Sequence, residues 1–374
     1  MSSALEQMTS SGSNAPEVIQ GIKTETGKRV MGYFHPIVPE ELIYAAGFHP
    51  ARLYRWYFEE PITVGDSYIQ TFLCSYVRSL WDQVLKGKYP YLSGAIIPRA
   101  CEAVTFLYQT WKRHKPTPFV DYINVPWKRT ENAVGFFAQE LGRVGKDLGK
   151  FAEKEVTEDS LRNAIKVYNK NRELLKKICD LRKAEIPPVS GTEIFDVVMS
   201  GFIFDKEKHN ELLEQLLTEI SQRAQPSKPL ARILVSGGCV IDRRVWEMIE
   251  STGVSIVVDD VNNGSRSFWY SVEDGAKEPL EALARAYIMV PSAFKTSIED
   301  RFNYVSELIS EYKVDGVIFA INRNCESEKF VYPELNKKVK GKTKVPTLNI
   351  ETDYLVDMAP LRTRVEAFVE TLKA

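Results

Sequence analysis

The sequence has no excess of charge of either sign and no long apolar run. Its 49 basic and 50 acidic side chains give a formal net charge of -1 over 374 residues, so the chain has no basic field that would attract nucleic acid. No apolar run approaches the roughly 20 residues that a membrane helix needs, and the Ser-rich start of the chain lacks the apolar core of a signal peptide. We therefore expect a cytoplasmic protein that binds neither nucleic acid nor a membrane, with a flexible N-terminal segment over residues 1–27.

Cysteine is scarce, and the common cofactor motifs are missing. The five cysteines are Cys74, Cys101, Cys179, Cys239 and Cys325, which are too few and too scattered for a disulfide framework in a chain of this size. No Cys-x-x-Cys pair occurs, which argues against a zinc ribbon or a compact ferredoxin motif. The sequence also lacks the phosphate loop G-x-x-x-x-G-K-[ST] and the dinucleotide fingerprint G-x-G-x-x-G. We therefore expect neither ATP hydrolysis nor nicotinamide binding by this chain.

Two of the cysteines lie in the same tetrapeptide, Arg-x-Cys-Glu, at residues 99–102 and 323–326. Each copy follows an apolar run that begins with a glycine, Gly94 or Gly316, and that is typical of a buried parallel strand. The next apolar segment comes at nearly the same distance, 23 residues after the first cysteine and 24 after the second. The preserved order of strand, cysteine, helix and strand indicates a duplicated domain.

The remaining pattern extends this duplication to two α/β lobes. Strands are predicted near residues 29–34, 52–57, 94–98 and 119–125, and again near 231–236, 254–259, 314–320 and 345–350. Between the two sets, the helical periodicity from about residue 130 predicts a helical connector domain. We therefore predict a first lobe over 28–129, a connector over 130–229 and a second lobe over 230–374, each lobe Rossmann-like with a parallel sheet. The site is expected in the crevice beyond the carboxyl ends of the strands.

Three cysteines are the candidate ligands of that site. Cys101 and Cys325 fall where a strand has ended and a helix begins, and there the helix dipole is expected to lower the thiol pKa. Cys74 precedes another helix and has no counterpart in the second lobe. Three thiolates suit an iron-sulfur cluster between the lobes, with a non-protein ligand on the fourth iron. A zinc ion with three thiolates and a water, and a non-catalytic protein with structural cysteines, remain alternatives.

The other candidates have structural interpretations. Cys179 lies in a helical stretch and is expected to be a packed or surface residue. Cys239 follows a Gly-Gly turn that could cradle an anion, bring a fourth thiolate near the crevice or simply join a strand to a helix. A packed or capping role is expected for His35 and His49.

The arginines of the two tetrapeptides have two interpretations. Arg99 and Arg323 either steady an anionic cluster or a partner, or pair with a neighbouring glutamate.

Several short segments together carry a resemblance to a known family. They are Pro39–Gly47, Cys74–Ser79, Pro98–Glu102, Cys325–Glu326, Val345–Leu348 and Arg362–Phe368. With them the chain resembles, over nearly its whole length, the 2-hydroxyacyl-CoA dehydratases and benzoyl-CoA reductases, most closely their smaller beta-type subunits. The resemblance implies that Cys74, Cys101 and Cys325 hold a 4Fe-4S cluster. It also implies a heterodimer with a related alpha subunit that carries a second cluster.

The resemblance further implies a lyase that acts by a ketyl radical mechanism. The expected reaction is the dehydration of a 2-hydroxyacyl-CoA, in particular 2-hydroxyisocaproyl-CoA of leucine fermentation, to isocaprenoyl-CoA. In this family a separate ATP-hydrolysing activator with its own iron-sulfur cluster supplies an electron, and the reduced thioester expels the hydroxyl group. The cluster of this subunit is expected to help deliver that electron. Reduction of an aromatic ring is the nearest alternative, and the resemblance assigns no catalytic residue.

Overall fold

The computed structural model describes residues 2–56, 60–355 and 357–373, and in these residues two parallel sheets are surrounded by helices. The strands are β1 (Val30–Tyr33), β2 (His49–Arg52), β3 (Leu92–Pro98), β4 (Phe119–Ile123), β5 (Arg232–Gly237), β6 (Ser255–Asp260), β7 (Gly316–Asn322) and β8 (Thr347–Thr352). The helices are α1 (Ala4–Ser13), α2 (Ala15–Thr26), α3 (Glu40–Ala45), α4 (Ser75–Leu85), α5 (Glu102–His114), α6 (Glu131–Ala152), α7 (Glu158–Asp180), α8 (Gly191–Ser200), α9 (Lys206–Ser221), α10 (Arg243–Glu250), α11 (Pro279–Tyr287), α12 (Ile298–Glu311), α13 (Glu326–Lys338) and α14 (Met358–Lys373). In the part of the chain described, no helix combines the length and apolarity that crossing a membrane requires.

Both sheets have the same strand order. The first runs β2-β1-β3-β4 and the second β6-β5-β7-β8, and every neighbouring pair is parallel. The predicted α/β fold with two lobes is thereby confirmed. In the first sheet the connection after β1 leads to β2 on one side, and the connection after β3 leads to β4 on the other side. The connections after β5 and β7 do the same in the second sheet. The point between these two neighbouring strands is the switch point where such folds bind ligands.

One predicted strand is displaced. A strand was predicted near residues 52–57, whereas β2 pairs with β1 from His49 to Arg52; residue 57 lies outside the described residues, as do the ends of the predicted ranges at residues 1 and 374. Pro50 is typical of a turn in the sequence, yet β2 is an edge strand, where proline is tolerated because one side of the strand needs no hydrogen-bond donor.

The central strands are buried on both faces, and their side chains alternate between separate cores. In β3, Ile96 points to a core shared with α6 and α11, and Ile97 points to a central core. In β7, Ile318 points to the same central core, and Phe319 points to an outer core with α12. One hydrophobic core therefore lies against both sheets, which fixes the two lobes relative to each other.

The helices between the lobes pack into these cores, and a buried triad ties the three regions together. Arg172 of α7 donates to Glu41 Oε1 of the first lobe at 2.6 Å and to the Tyr287 hydroxyl of α11 at 3.0 Å. The Tyr287 hydroxyl in turn donates to Glu41 Oε2 at 2.6 Å. All three side chains are buried, so each polar group has its partner where water is excluded.

The N-terminal segment corrects the sequence prediction. Residues 1–27 were expected to be flexible, but α1 and α2 are regular helices that bury Ala4, Met8 and Ile19 in the central core. Helix α1 begins with a capping box, in which the Ser3 side chain and the Glu6 side chain each accept a hydrogen bond from a backbone N–H group. The sequence does contain a signal for this helix, which the prediction overlooked. It is a Ser-x-x-Glu motif followed by small and apolar residues at helical spacing.

Replacing Met8 by alanine tests this docking. Because Met8 is fully buried, we expect Met8→Ala to lower the free energy of unfolding by about 2–5 kcal/mol, measured by urea denaturation. Ser10→Ala, at an exposed position of the same helix, is the matched control and should change it by less than about 0.5 kcal/mol. Equal stabilities of the two variants would contradict a docked α1.

Candidate functional site

A cavity lies where the carboxyl ends of the two sheets meet. It encloses about 520 Å³ of empty space, including its opening to solvent. Its walls carry four of the five cysteines, Cys74 and Cys101 from the first lobe and Cys239 and Cys325 from the second. The three candidate ligands therefore share one cavity, in the crevice that the strand order predicted.

Each candidate ligand lies directly before the first residue of a helix. Cys74 is the N-cap of α4, Cys101 the N-cap of α5 and Cys325 the N-cap of α13. The latter two helices follow β3 and β7, so the predicted positions of Cys101 and Cys325 between strand and helix are confirmed. Three helices consequently direct their positive N-terminal ends toward this cavity.

The repeated Arg-x-Cys-Glu motif has a backbone role that is the same in both lobes. The backbone N–H of Arg99 donates to the carbonyl of Ile123, and that of Arg323 donates to the carbonyl of Thr352, both at 2.8 Å. Each bond ties the cysteine loop to the end of the neighbouring strand. The Arg323 side chain is exposed and donates to Glu351 Oε1 at 2.9 Å, which agrees with the pairing alternative rather than with contact to a cluster.

The thiol pKa values differ from the prediction that helix dipoles would lower them. Burial raises the pKa of Cys74 to about 12, and the Cys101 thiol adds to the rise. Burial likewise raises the pKa of Cys101 and of Cys325. Backbone N–H groups act in the opposite direction but more weakly. Free thiols here are therefore protonated near neutral pH, and a bound metal, which deprotonates its thiol ligands outright, is what would make them thiolates.

The Gly237-Gly238 turn lies at the end of β5, beside the cavity. A Cβ at Gly237 would lie 2.0 Å from the carbonyl oxygen of Ala320 in β7, so any side chain there forces the strands apart. A Cβ at Gly238 would lie 3.9 Å from Cys325 Sγ and 3.4 Å from Glu328 Cγ, which are ordinary contacts. Gly237 is therefore needed for strand packing, whereas Gly238 keeps space free beside Cys325.

A buried network of charges supports the second-lobe wall. Asp260 at the end of β6 accepts from Arg266 Nε and Arg301 Nη2, each at 2.6 Å, and from the Ser236 hydroxyl at 2.8 Å. Arg266 also reaches Glu328 of the cavity wall, with 3.4 Å between Nη1 and Oε1. These four charged side chains are almost fully buried. No sequence motif indicates this network, because its four charged residues lie in separate segments of the chain.

The remaining candidates divide between the cavity and the core. His35 lines the cavity in a left-handed backbone conformation, with φ at 77°, and its Nδ1 accepts the Ile37 N–H at 3.4 Å. His49 is packed away from the cavity between Asp205 and a backbone carbonyl, as expected. Cys179 is buried in the central core, also as expected.

Within the described residues, no three His, Cys, Asp or Glu side chains converge on a single metal ion. The zinc alternative therefore finds no preassembled site there. In a cubane cluster the cysteines bind different iron atoms, so the thiols of such a site are spread around a cavity rather than gathered on one metal ion. By this chemistry Cys74, Cys101 and Cys325 fit a 4Fe-4S cluster.

Comparison with known proteins gives the family. A family model described as the D-component of 2-hydroxyglutaryl-CoA dehydratase matches residues 37–372. The chain belongs to this family. The matched segment contains strands β2 to β8 and all four cysteines of the cavity, and it begins after α1, α2 and β1.

Two of the similar proteins match over nearly their full length, and a third matches in part. The chain is 27% identical to the (R)-phenyllactyl-CoA dehydratase beta subunit of Clostridium sporogenes, over 96% of both chains. It is 25% identical to one of the benzoyl-CoA reductase subunits of Thauera aromatica, over 94% of this chain and 92% of that one. The alpha subunit of (R)-2-hydroxyglutaryl-CoA dehydratase from Acidaminococcus fermentans is 23% identical over 73% of this chain and 59% of its own length.

Gly237→Ala and Gly238→Ala form a matched pair of variants. We expect Gly237→Ala to cost about 1–3 kcal/mol or more, because the new methyl group overlaps the backbone of β7. Gly238→Ala should change the free energy of unfolding by less than about 1 kcal/mol, since its contacts are ordinary. Thermal or urea unfolding measures both, and a reversed order would contradict the close approach of Gly237 to β7.

Asp260→Asn tests the buried charge network. The substitution keeps the shape of the side chain but removes the negative charge between Arg266 and Arg301, so we expect a loss of about 3–5 kcal/mol of stability. Glu131→Gln, which removes an exposed partner of Arg285, is the control and should leave the unfolding midpoint unchanged. Similar midpoints for the two variants would show that the network contributes little.

Proposed function

We propose that the chain is the beta subunit of a 2-hydroxyacyl-CoA dehydratase and that Cys74, Cys101 and Cys325 hold its 4Fe-4S cluster. The observation that carries the proposal is the meeting of these three thiols, from two lobes, at one cavity. Membership of the dehydratase family and the match to beta-type subunits along almost the whole chain support it. The enzyme would be a hydro-lyase.

The residues around the cavity suit a buried, redox-active group. A cluster bound there would supply one-electron chemistry at low potential. The helix starts behind Cys74, Cys101 and Cys325 present backbone N–H groups to the sulfur atoms, and such donors tune the potential of a cluster. Two aromatic side chains, Phe34 and Phe294, also line the cavity, and Phe34 is buried.

The proposed partners follow from the family. Similarity to an alpha subunit as well as to beta subunits supports a heterodimer of two related chains. The low-potential electron requires an external source, and we propose a separate ATP-hydrolysing activator, since the sequence has no phosphate loop. In this arrangement the cluster of the beta subunit helps deliver the electron and the alpha subunit binds the acyl-CoA.

The proposal also specifies the acyl chain of the substrate. We propose 2-hydroxyisocaproyl-CoA, dehydrated to isocaprenoyl-CoA in leucine fermentation. A second candidate is a role in a benzoyl-CoA reductase, because the matching chain of that enzyme is almost as similar to this one as a dehydratase beta subunit is. Assays of the co-purified heterodimer and activator with 2-hydroxyisocaproyl-CoA, phenyllactyl-CoA and benzoyl-CoA distinguish these substrates.

Serine substitutions test the cluster. After anaerobic purification we expect about four iron and four sulfide atoms per chain, and Cys101→Ser or Cys325→Ser should lower both contents by more than half and abolish dehydratase activity with the partner subunits. Cys179→Ser, in the central core, is the control and should leave iron unchanged. A colourless wild-type protein, or full iron content in either of the first two variants, would refute the ligand assignment.

A further inference from the structure

Arg52 is a buried cation at the carboxyl end of β2. Its exposed fraction is 3%, and its guanidinium carbon lies 5.0 Å from the ring centre of Tyr54 and 4.8 Å from that of Phe202. The Nη1 atom has no hydrogen-bond partner, and no carboxylate pairs with Arg52 in the part of the chain that the structure describes. A buried charge without a partner is costly, so a negative group near Arg52 would stabilise the folded protein.

The two carboxylates at the start of α3 already have cationic partners. Glu40 Oε2 lies 2.9 Å from Lys206 Nζ. Glu41 Oε1 lies 2.6 Å from Arg172 Nη2. Neither carboxylate is left to balance Arg52, which therefore adds an uncompensated positive charge to the described interior of the first lobe.

The position of Arg52 in the sheet places it behind the wall of the cavity. Arg52 is the last residue of β2, and the register pairs it with Tyr33, the last residue of β1. The two residues that follow Tyr33 are Phe34 and His35, and both line the cavity. Arg52 itself does not line the cavity.

Aromatic side chains connect Arg52 to the cavity from a second direction. The ring of Tyr54, which packs against the Arg52 guanidinium group, lies 6.2 Å from the ring of Tyr76 between centres. Tyr76 in turn lies 5.6 Å from Phe34, and both of these rings line the cavity. The charge of Arg52 is therefore close to the cavity but separated from its contents by aromatic rings.

The positive charge of Arg52 also acts at the cavity wall. Burial lowers the pKa of His35, and the charges of Arg52, Lys295 and Arg266 lower it further, Arg52 the most of the three. Coulomb interactions reach across such a layer of side chains because the interior has a low dielectric constant, and salt screens them less there than at the surface. A negative group in the cavity would therefore be stabilised by Arg52.

We infer that Arg52 is the internal counter-ion of the iron-sulfur cluster and raises its reduction potential. The inference rests on the proposed function, because it presupposes a cluster in this cavity. A 4Fe-4S cluster with three thiolate ligands is negatively charged, and it gains one more negative charge when it accepts an electron. A nearby buried cation therefore stabilises the reduced form more than the oxidised form. Arg52 binds no iron in this role and acts through its charge alone.

A packing role is the alternative interpretation of Arg52. Its side chain covers the rings of Tyr54 and Phe202, and its backbone N–H donates to the carbonyl of Phe202 at 3.4 Å, so the residue joins β2 to the segment after α8. Packing requires the size of the side chain but not its charge. The unpartnered Nη1 favours the counter-ion role, because an apolar side chain would pack there without the cost of a buried charge.

The variants Arg52→Met and Arg52→Lys distinguish the two roles, because methionine removes the charge and lysine keeps it. The full chain is purified anaerobically without the alpha subunit, so that a single cluster is titrated with titanium(III) citrate, and the EPR signal of the reduced cluster gives the midpoint potential. We expect Arg52→Met to make the one-electron reduction about tenfold less favourable, which lowers the midpoint potential by about 59 mV. Arg52→Lys should keep a potential close to that of the wild type.

Arg29→Met is the matched control. Arg29 also packs its guanidinium group against two aromatic rings, those of Phe48 and Phe151. It precedes β1, however, and so lies at the edge of the sheet opposite the cavity. Its replacement should leave the midpoint potential unchanged. Circular dichroism checks that each variant is folded, and Arg52→Gln takes the place of Arg52→Met where the methionine variant does not fold.

The outcomes separate this inference from the proposed function. An unchanged potential in the neutral variant, or an equal shift in Arg52→Lys or Arg29→Met, refutes the counter-ion and leaves the cluster in place. Loss of iron from the folded neutral variant, with full iron in Arg52→Lys, supports the inference, because the charge is then needed to hold a negative group. Loss of iron from both refutes it, since the shape of arginine is then what matters. A wild-type protein without any iron refutes the proposed function itself, and the inference with it.

Discussion

The parallel arrangement of the strands is the constraint on which the site depends. In a parallel sheet every strand ends at the same edge, so the loops that follow β1, β3, β5 and β7 all open toward one crevice. Because the two sheets have the same strand order, Cys101 and Cys325 follow corresponding strands. No local motif brings these two thiols together across more than half of the chain; the sheet topology does, and the central core that contacts both sheets holds them there.

Rigidity comes from polar contacts that are buried and satisfied. The Glu41–Arg172–Tyr287 triad joins the first lobe, the helical region and α11, and the network around Asp260 fixes the wall behind Glu328. A buried charge whose partner is displaced costs several kcal/mol, so the triad opposes separation of the lobes and the Asp260 network holds the second-lobe wall in place. A cavity held in this way would keep the side chains of the proposed ligands in place before a metal group binds, and this preorganisation would reduce the conformational entropy lost on binding.

Sequence patterns predicted the structural features that are determined by residues close together in the chain. The glycine-led apolar runs at Gly94 and Gly316 indicated the central strands, and the tetrapeptides indicated the cysteines before the helices. Pattern reading failed at β2, where an edge position allows Pro50, and at α1, where a capping box was taken for a solvated tail. It also could not associate Arg266 with Glu328, since a contact between distant segments leaves no periodic trace in either. The raised thiol pKa values were missed for the same reason, because burial is a property of the whole fold.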